Sequence, residues 1–272
     1  MANDVKPASE IFDKQIHANE LKLRILMTDG CNRAQRCSFC LNDFQPKPKN
    51  GMQFLNQDIA KMAISQYANL FTEKYPLQVS FSGGEPTLHP NLIDVMKFAK
   101  SLDCLVALNT NGIFSNSLEV PLMLYSDKIH FGTYEKNSEH AERVRRMGGL
   151  IQCIYPHIDQ SFIEFYLRYG LPIKIFEDFN NVFGEYVKFA REMIQKFPSA
   201  NLSFRYTGIQ ENRGPGCNGC EKICCTLKGA WIFPDGGTSP CPQLYKYKKH
   251  YPQNKEEWID YLKEVEAFHK IN

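Results

Sequence analysis

Hydrophobic and polar positions along this chain follow two alternating rhythms. Short apolar or β-branched runs fall at Leu21 to Met27, Leu77 to Ser82, Leu105 to Thr110, Lys128 to Tyr134, Leu150 to His157 and Ile173 to Phe179, lengths that suit strands. Between them, apolar residues recur at helical spacing. Ile59, Met62, Ala63, Tyr67 and Leu70 mark a helix over Asp58 to Phe71, and Tyr186, Val187, Ala190, Met193, Ile194 and Phe197 mark one over Gly184 to Phe197. Six such strand-helix units predict an α/β fold with a parallel sheet covered by helices, an incomplete (β/α)6 relative of the eight-unit barrel. In folds of this kind, ligands bind at the carboxyl ends of the strands.

A further strand-like run, Leu202 to Tyr206, leads into the Gly- and Cys-rich ENRGPGCNGCEKICC, where the composition changes and a domain boundary is expected. The predicted division is an extension over 1–20, the partial barrel over 21–206 and a small cysteine-rich domain over 207–272. In that last segment, GAWIFPDGGTSPC predicts two short strands around a Pro-Asp-Gly-Gly turn. A terminal helix is expected after Asn254 as N-cap, with Glu257 three residues on and Trp258, Tyr261, Leu262, Val265 and Phe268 as its apolar stripe.

Composition narrows the class without naming a partner. The 272 residues, 43% of them hydrophobic, suit one large domain, or one with a small appendage. Lys plus Arg is 32 against 30 for Asp plus Glu, a formal net charge of +2 that demands neither nucleic acid nor an anionic membrane. The first 20 residues carry no apolar stretch with a small-residue cleavage site, and no run approaches membrane-spanning length. A cytoplasmic protein is expected on these grounds. In that reducing compartment the ten cysteines read as metal ligands or buried thiols, and eight of them fall in two dense groups.

The first group, Cys31, Cys37 and Cys40 in CNRAQRCSFC, follows the first strand directly. Three thiolates on one short loop can hold a four-iron cluster with one iron left open for a small molecule, or a zinc ion that finds a fourth ligand elsewhere. The second strand ends in Phe81-Ser82-Gly83-Gly84-Glu85-Pro86-Thr87. Two glycines there allow close backbone approach, and the carboxylate that follows suits a nearby ammonium group.

With both pieces in this order, the chain resembles the radical SAM superfamily. The resemblance runs from residue 21 to near residue 206 and includes Thr110-Asn111-Gly112 at the end of the third strand. It implies a 4Fe-4S cluster on Cys31, Cys37 and Cys40, with S-adenosylmethionine held at the open iron and its amino group against Gly83, Gly84 and Glu85. Phe39 matches the aromatic position near the adenine. The first gap is five residues where the family more often has three, a lengthening that costs little closure entropy. Where many relatives carry Ser and Asp after the fourth strand, this chain has Phe131-Gly132-Thr133-Tyr134, so Thr133 is the candidate hydroxyl donor to the ribose, and Asn109, near the third strand's end, is a further cofactor-binding candidate. Glu139-His140 followed by Arg143 resembles a pattern whose Arg reaches the cofactor carboxylate, and reads equally as a solvated helix face.

The second group is Cys217, Cys220, Cys224, Cys225 and Cys241. Its Cys225 to Cys241 run with Gly236 inside resembles SPASM and twitch extensions, which implies an auxiliary iron-sulfur cluster on Cys217, Cys220, Cys225 and Cys241 with Cys224 spare. Adjacent cysteines can exchange roles, and four thiolates at these spacings equally make a zinc site. Cys104 and Cys153 lie apart, in apolar surroundings, and read as buried small hydrophobes.

Polar residues near predicted strand ends are the substrate candidates: Tyr134, His157 and Glu177 for proton transfer or contact, with Asn111, Glu135, Asp178, Arg205 and Tyr206 beside them. The interleaved aromatic and basic residues from Tyr245 to Tyr251 read as a solvated linker, and the near-neutral charge argues against extended nucleic-acid binding. The resemblance implies an enzyme that cleaves S-adenosylmethionine to a 5′-deoxyadenosyl radical and abstracts hydrogen from a peptide or small metabolite. It also implies a one-electron reductant such as flavodoxin or ferredoxin as partner. The rival reading is a noncatalytic zinc-binding module.

Overall fold

A computed structural model of the chain describes residues 13–14, 22–33, 37, 40, 51–70, 77–178, 183–206, 229–239, 256–257 and 260. In chain order the strands are Asp13–Lys14 (β1), Lys22–Leu26 (β2), Gln78–Ser82 (β3), Leu105–Thr110 (β4), Lys128–Gly132 (β5), Leu150–Tyr155 (β6), Ile173–Glu177 (β7), Leu202–Tyr206 (β8), Gly229–Ile232 (β9) and Thr238–Ser239 (β10). The helices are Gln57–Leu70 (α1), Leu92–Ser101 (α2), Glu119–Tyr125 (α3), Ser138–Arg146 (α4), Gln160–Leu167 (α5) and Phe183–Lys196 (α6). The six strand-helix units therefore stand where the hydrophobic rhythm puts them, most with ends one or two residues shorter. The α/β class is as expected. The sequence pattern does not reveal β1, whose two residues pair in parallel with β8 at Asp13↔Arg205.

The chain forms two compact units, His17–Ile129 with Cys217–Asn272, and Met1–Ile16 with His130–Gly216. In the first, the strand order is β4-β3-β2-β9-β10, parallel throughout except for the β9–β10 hairpin. The hairpin expected from the Pro-Asp-Gly-Gly turn is present, and it extends the edge of the sheet, with Leu23↔Ala230 in register. In the second, β1-β8-β7-β6-β5 run in parallel.

Side chains alternate across each sheet as the period of two requires. Leu23, Ile25, Val79, Phe81, Val106, Leu108, Ala230 and Ile232 are buried on one face of the first unit, where Ala60, Ala63, Ile64 and Tyr67 of α1 are also fully buried. The opposite face carries Arg24, Ser80, Asn109 and Trp231, with the Arg24 guanidinium 5.2 Å from the Trp231 ring centre. In the second unit Ile151, Cys153, Ile173, Ile175 and Phe204 are buried. The Tyr186 hydroxyl of α6 donates to the Ile175 carbonyl at 2.8 Å, fixing that helix on β7.

Helix starts follow capping chemistry. Asn137 accepts from the His140 N–H at the start of α4, which carries Glu139 in its first turn and Arg143, Arg145 and Arg146 in its last, matching both ends of the helix dipole. Asp159 caps α5 through the Phe162 N–H at 2.8 Å. Cys104 and Cys153 are buried as expected, and burial pushes the Cys104 thiol up to about 11. Of the expected terminal helix, only Glu256, Glu257 and Asp260 are among the described residues, and all three are helical. Among the described residues no helix is long and apolar enough to cross a membrane.

Asp127, in the turn before β5, joins two elements of the first unit: it accepts from the Val106 N–H at 2.7 Å and pairs with Lys100 of α2 at 2.8 Å. Partial desolvation raises its carboxyl, but the Lys100 and Val106 contacts outweigh this and hold it below its ordinary 3.8. A depressed carboxyl stabilises the fold above its unfolded value and loses that contribution as pH falls through the folded one. Urea unfolding midpoints of the wild type should therefore drop as pH falls below about 4 more steeply than those of Asp127→Asn, and equal pH dependence in the two proteins would contradict this.

Candidate active site

The site begins with two turns at the carboxyl ends of β2 and β3. The Gly84 N–H donates to the Thr28 carbonyl and the Glu85 N–H to the Gly30 carbonyl, each at 2.7 Å, while the Met27 N–H donates to Ser82 at 2.8 Å. Thr28 is fully buried; its hydroxyl donates to the Gln53 carbonyl at 2.8 Å and accepts from the Gly30 N–H at 3.0 Å. The two backbones are thus laced together with no side chain between them. Gly83 stands at φ +139°, and a Cβ there would lie 2.4 Å from the Thr28 carbonyl oxygen. One on Gly84 would lie 1.9 Å from the Gly30 oxygen, so glycine is the only residue that fits.

Glu85 carries the connection on to β4. Its carboxylate is fully buried; Oε1 accepts from the Thr87 N–H at 3.1 Å, the Thr87 hydroxyl at 2.7 Å and the Thr110 hydroxyl at 2.7 Å. Oε2 accepts from the Asn111 N–H at 2.7 Å. Burial pushes this carboxyl up, and these donors pull against it. Asn111 then reaches the cysteine loop. Its amide nitrogen donates to Asn32 Oδ1 at 2.8 Å and to Cys31 Sγ at 3.7 Å, its Oδ1 accepts from the Ile113 N–H at 2.8 Å, and Asn32 Nδ2 donates back to the Ile113 carbonyl at 2.6 Å.

Cys31 is exposed, Cys37 and Cys40 are half-buried, and all three are free thiols. The Cys40 N–H donates to the Cys37 carbonyl at 3.0 Å. Burial raises the Cys37 thiol, Arg33 lowers it, and Cys40 and Cys31 raise it further, so the three sulfurs lie within electrostatic reach of one another. Among the described residues, no three His, Cys, Asp or Glu side chains are already gathered as ligands around a point. The donor set nonetheless fits a thiolate-bound iron-sulfur cluster or zinc, both of which select soft sulfur ligands. Phe39 lies outside the described residues, as do Cys217, Cys220, Cys224, Cys225 and Cys241.

Asn109 is half-buried on the polar face of the sheet, its amide donating to Ser80 Oγ at 2.9 Å. The remaining candidates belong to the second unit. Thr133 is buried, its hydroxyl 3.4 Å from both the nitrogen and the carbonyl oxygen of Glu135 in a local turn. Tyr134 is half-buried beside it, and Arg143 is half-buried in the last turn of α4. Glu177 is buried at the end of β7. His157, after β6, places Nε2 3.0 Å from Asp178 Oδ2, after β7.

Sequence reasoning singled out the cysteines and the glycines but gave the braces no role: Thr28 enters only through the hydrogen bonds above, and Asn32, Thr87 and Thr110 stand only as members of the quoted runs. Their signal was present as short polar side chains within two residues of a glycine or proline at strand ends, where such groups bond to nearby backbone.

Comparison with known proteins places these features. No family model matches the chain. It is 33% identical over 113 residues to the GTP 3′,8-cyclase of Actinobacillus pleuropneumoniae serotype 7, covering 41% of this chain and 30% of that enzyme. It is 27% identical over 141 residues to the GTP 3′,8-cyclase of Lactiplantibacillus plantarum, covering 48% and 39%. The matches thus span between about a third and two-fifths of these relatives' own length. Among solved structures, Streptococcus suis SuiB bound to precursor peptide SuiA superposes with TM-score 0.65 at 14% identity over 85% of this chain and 62% of SuiB. Native anSMEcpe with bound AdoMet gives 0.62 at 16% over 88% and 80%. The solved neighbours share the α/β fold, of the open, partial-barrel kind. With the cysteine loop and the glycine turn in these positions, the chain is similar to radical SAM enzymes.

Two substitutions test the lacing. Gly84→Ala forces its Cβ onto the Gly30 backbone and should abolish iron uptake by the Cys31 loop while lowering the melting temperature. Glu85→Gln turns an amide N–H toward donors and should cost on the order of 2 kcal/mol in urea unfolding. Wild-type iron content and stability in both variants would show that the turns do not depend on each other.

Proposed function

We propose that this chain is a radical SAM enzyme that reductively cleaves S-adenosylmethionine and uses the product to take a hydrogen atom from a peptide or small-metabolite substrate. The observation that carries the reading is the fastening of the Gly83–Glu85 turn to the backbone that leads directly into Cys31. Cys31, Cys37 and Cys40 would hold a 4Fe-4S cluster through three thiolates. When bound, the cluster and S-adenosylmethionine supply an electron and a sulfonium whose cleavage yields a 5′-deoxyadenosyl radical. The carboxylate of Glu85 accepts four hydrogen bonds within the protein, three on Oε1 and one on Oε2, which hold the Gly83–Gly84 turn in place and leave a lone pair on Oε2. In this reading the cofactor's amino group meets the Gly83–Gly84 backbone and Glu85 Oε2.

In this reading Phe39 lies along the adenine, Thr133 serves the ribose, Asn109 is a further contact to the cofactor, and Arg143 serves the cofactor carboxylate. His157, oriented by Asp178, is the candidate for moving a substrate proton, with Glu177 and Tyr134 as further substrate contacts. The barrel is assigned to 21–206 after an extension over 1–20. The segment 207–272 is assigned an auxiliary cluster, on Cys217, Cys220, Cys225 and Cys241 with Cys224 in reserve, that accepts an electron from the substrate or anchors it. The net reaction is then an oxidation, cross-link or epimerisation, driven by a reductant such as flavodoxin or ferredoxin in the cytoplasm. The peptide bound in the SuiB structure supports a peptide substrate, and the name of the cyclases supports a nucleotide one.

Anaerobic reconstitution with iron and sulfide is expected to load about eight irons per chain, four for each cluster. Adding S-adenosylmethionine and a reductant should release 5′-deoxyadenosine, and Cys37→Ala should abolish that product. Uptake of zinc in place of iron, with no 5′-deoxyadenosine, would establish the noncatalytic metal-binding module instead.

A further inference from the structure

A side-chain donor is aimed at the sulfur of Cys31. The Asn111 amide nitrogen stands 3.7 Å from Cys31 Sγ. Asn111 is itself immobilised on every side: its backbone N–H is held by Glu85, its Oδ1 by the Ile113 N–H, and its amide by Asn32 Oδ1, with only 8% of its surface exposed. The donor therefore cannot turn away when the sulfur becomes a thiolate.

We infer that Asn111 is a positioning residue for the cluster's first ligand, one that fixes Cys31 at the end of β4 and raises the reduction potential of the cluster through an N–H···S hydrogen bond. The inference rests on the assignment of Cys31 as a cluster ligand. The physical reason is electrostatic. Reduction adds negative charge to the cluster and its sulfurs, so a fixed donor favours the reduced form more than the oxidised one, and hydrogen bonds to sulfur are among the features that set such potentials. A neutral donor does this without adding a charge that would have to be buried. Asn32 complements it by holding the Asn111 amide between the loop and the strand end, and by closing back on the Ile113 carbonyl at 2.6 Å.

The test is a redox titration of the reconstituted protein, followed by electron paramagnetic resonance of the reduced cluster, with iron content and melting temperature measured on the same samples. Asn111→Ala removes the donor. Asn111→Asp keeps the size and the acceptor for the Ile113 N–H but turns the donor into a negative oxygen, and it decides the matter if the alanine variant does not fold. Both variants should shift the reduced-to-oxidised ratio at a fixed potential toward the oxidised form. The expected shift is about tenfold for alanine, or ~59 mV for a one-electron couple, and more for aspartate. A residue that merely supported the loop would change iron content and melting temperature and leave the midpoint where it was. Midpoints equal to wild type in folded, iron-loaded variants, or raised ones, would overturn the inference. A wild-type protein that takes up no cluster would overturn the ligand assignment beneath it, and the two failures are told apart by the iron content of the wild type.

Discussion

A buried carboxylate holds the candidate site together. Removing Glu85 from water would be prohibitive for an isolated charge, and the structure surrounds it with four donors drawn from both sides of the gap between two strands: Thr87 on its own turn, Thr110 and Asn111 on the next. Because the donors come from separate segments, satisfying the charge fixes the distance between the ends of β3 and β4. Neither strand end can shift without stranding part of a buried charge. The restraint is far stiffer than an exposed ion pair such as Lys100–Asp127, whose partners are each about a third exposed.

Backbone hydrogen bonds extend the same restraint in the other direction. Gly84 and Glu85 give their N–H groups to the carbonyls of Thr28 and Gly30, and the buried Thr28 hydroxyl serves a second N–H on its own turn. Polar backbone groups buried at a strand end must find partners, and here they find them in the neighbouring turn, not in water. A side chain on either glycine would separate the two turns by the width of a carbon atom. The residue after Gly30 is Cys31, so the geometry set by the glycines is passed to the first sulfur across one peptide bond.

The strands were legible because each buried face writes a period of two into the sequence, and the helices because α1 and α6 write a period near 3.6. The limits read for Leu105 to Thr110 and Leu202 to Tyr206 match residue for residue, although Val106, Ala107 and Leu108 are buried in succession. β1 escaped because two residues are too few to show any period, and its pairing with β8 depends on a segment far away in sequence. The site was legible where residue type alone restricts chemistry, as with clustered cysteines and paired glycines. Glu85 shows the limit of such reading: the sequence marks a carboxylate beside the glycines, but whether it serves a ligand or the protein depends on Thr110 and Asn111, 25 and 26 residues further on. Nothing local to Glu85 could have told which.

The polar face of the sheet points in the same direction. A parallel sheet buried on both sides has strands that are apolar throughout, yet β2 and β3 place Arg24, Ser80 and Ser82 opposite their buried residues, and β7 places Lys174 opposite Ile173 and Ile175. A closed eight-stranded barrel fills its interior with layers of branched apolar side chains, which these residues could not supply without leaving buried polar groups unpaired. Asn109 shows how the face is used instead: its amide is held by Ser80 on the neighbouring strand, so a polar layer is ordered before anything binds to it. A sheet built this way keeps its stability on the helix-covered side, where Phe81 and Leu108 are fully buried. Its other side carries polar side chains, Arg24 against the Trp231 ring and Asn109 against Ser80.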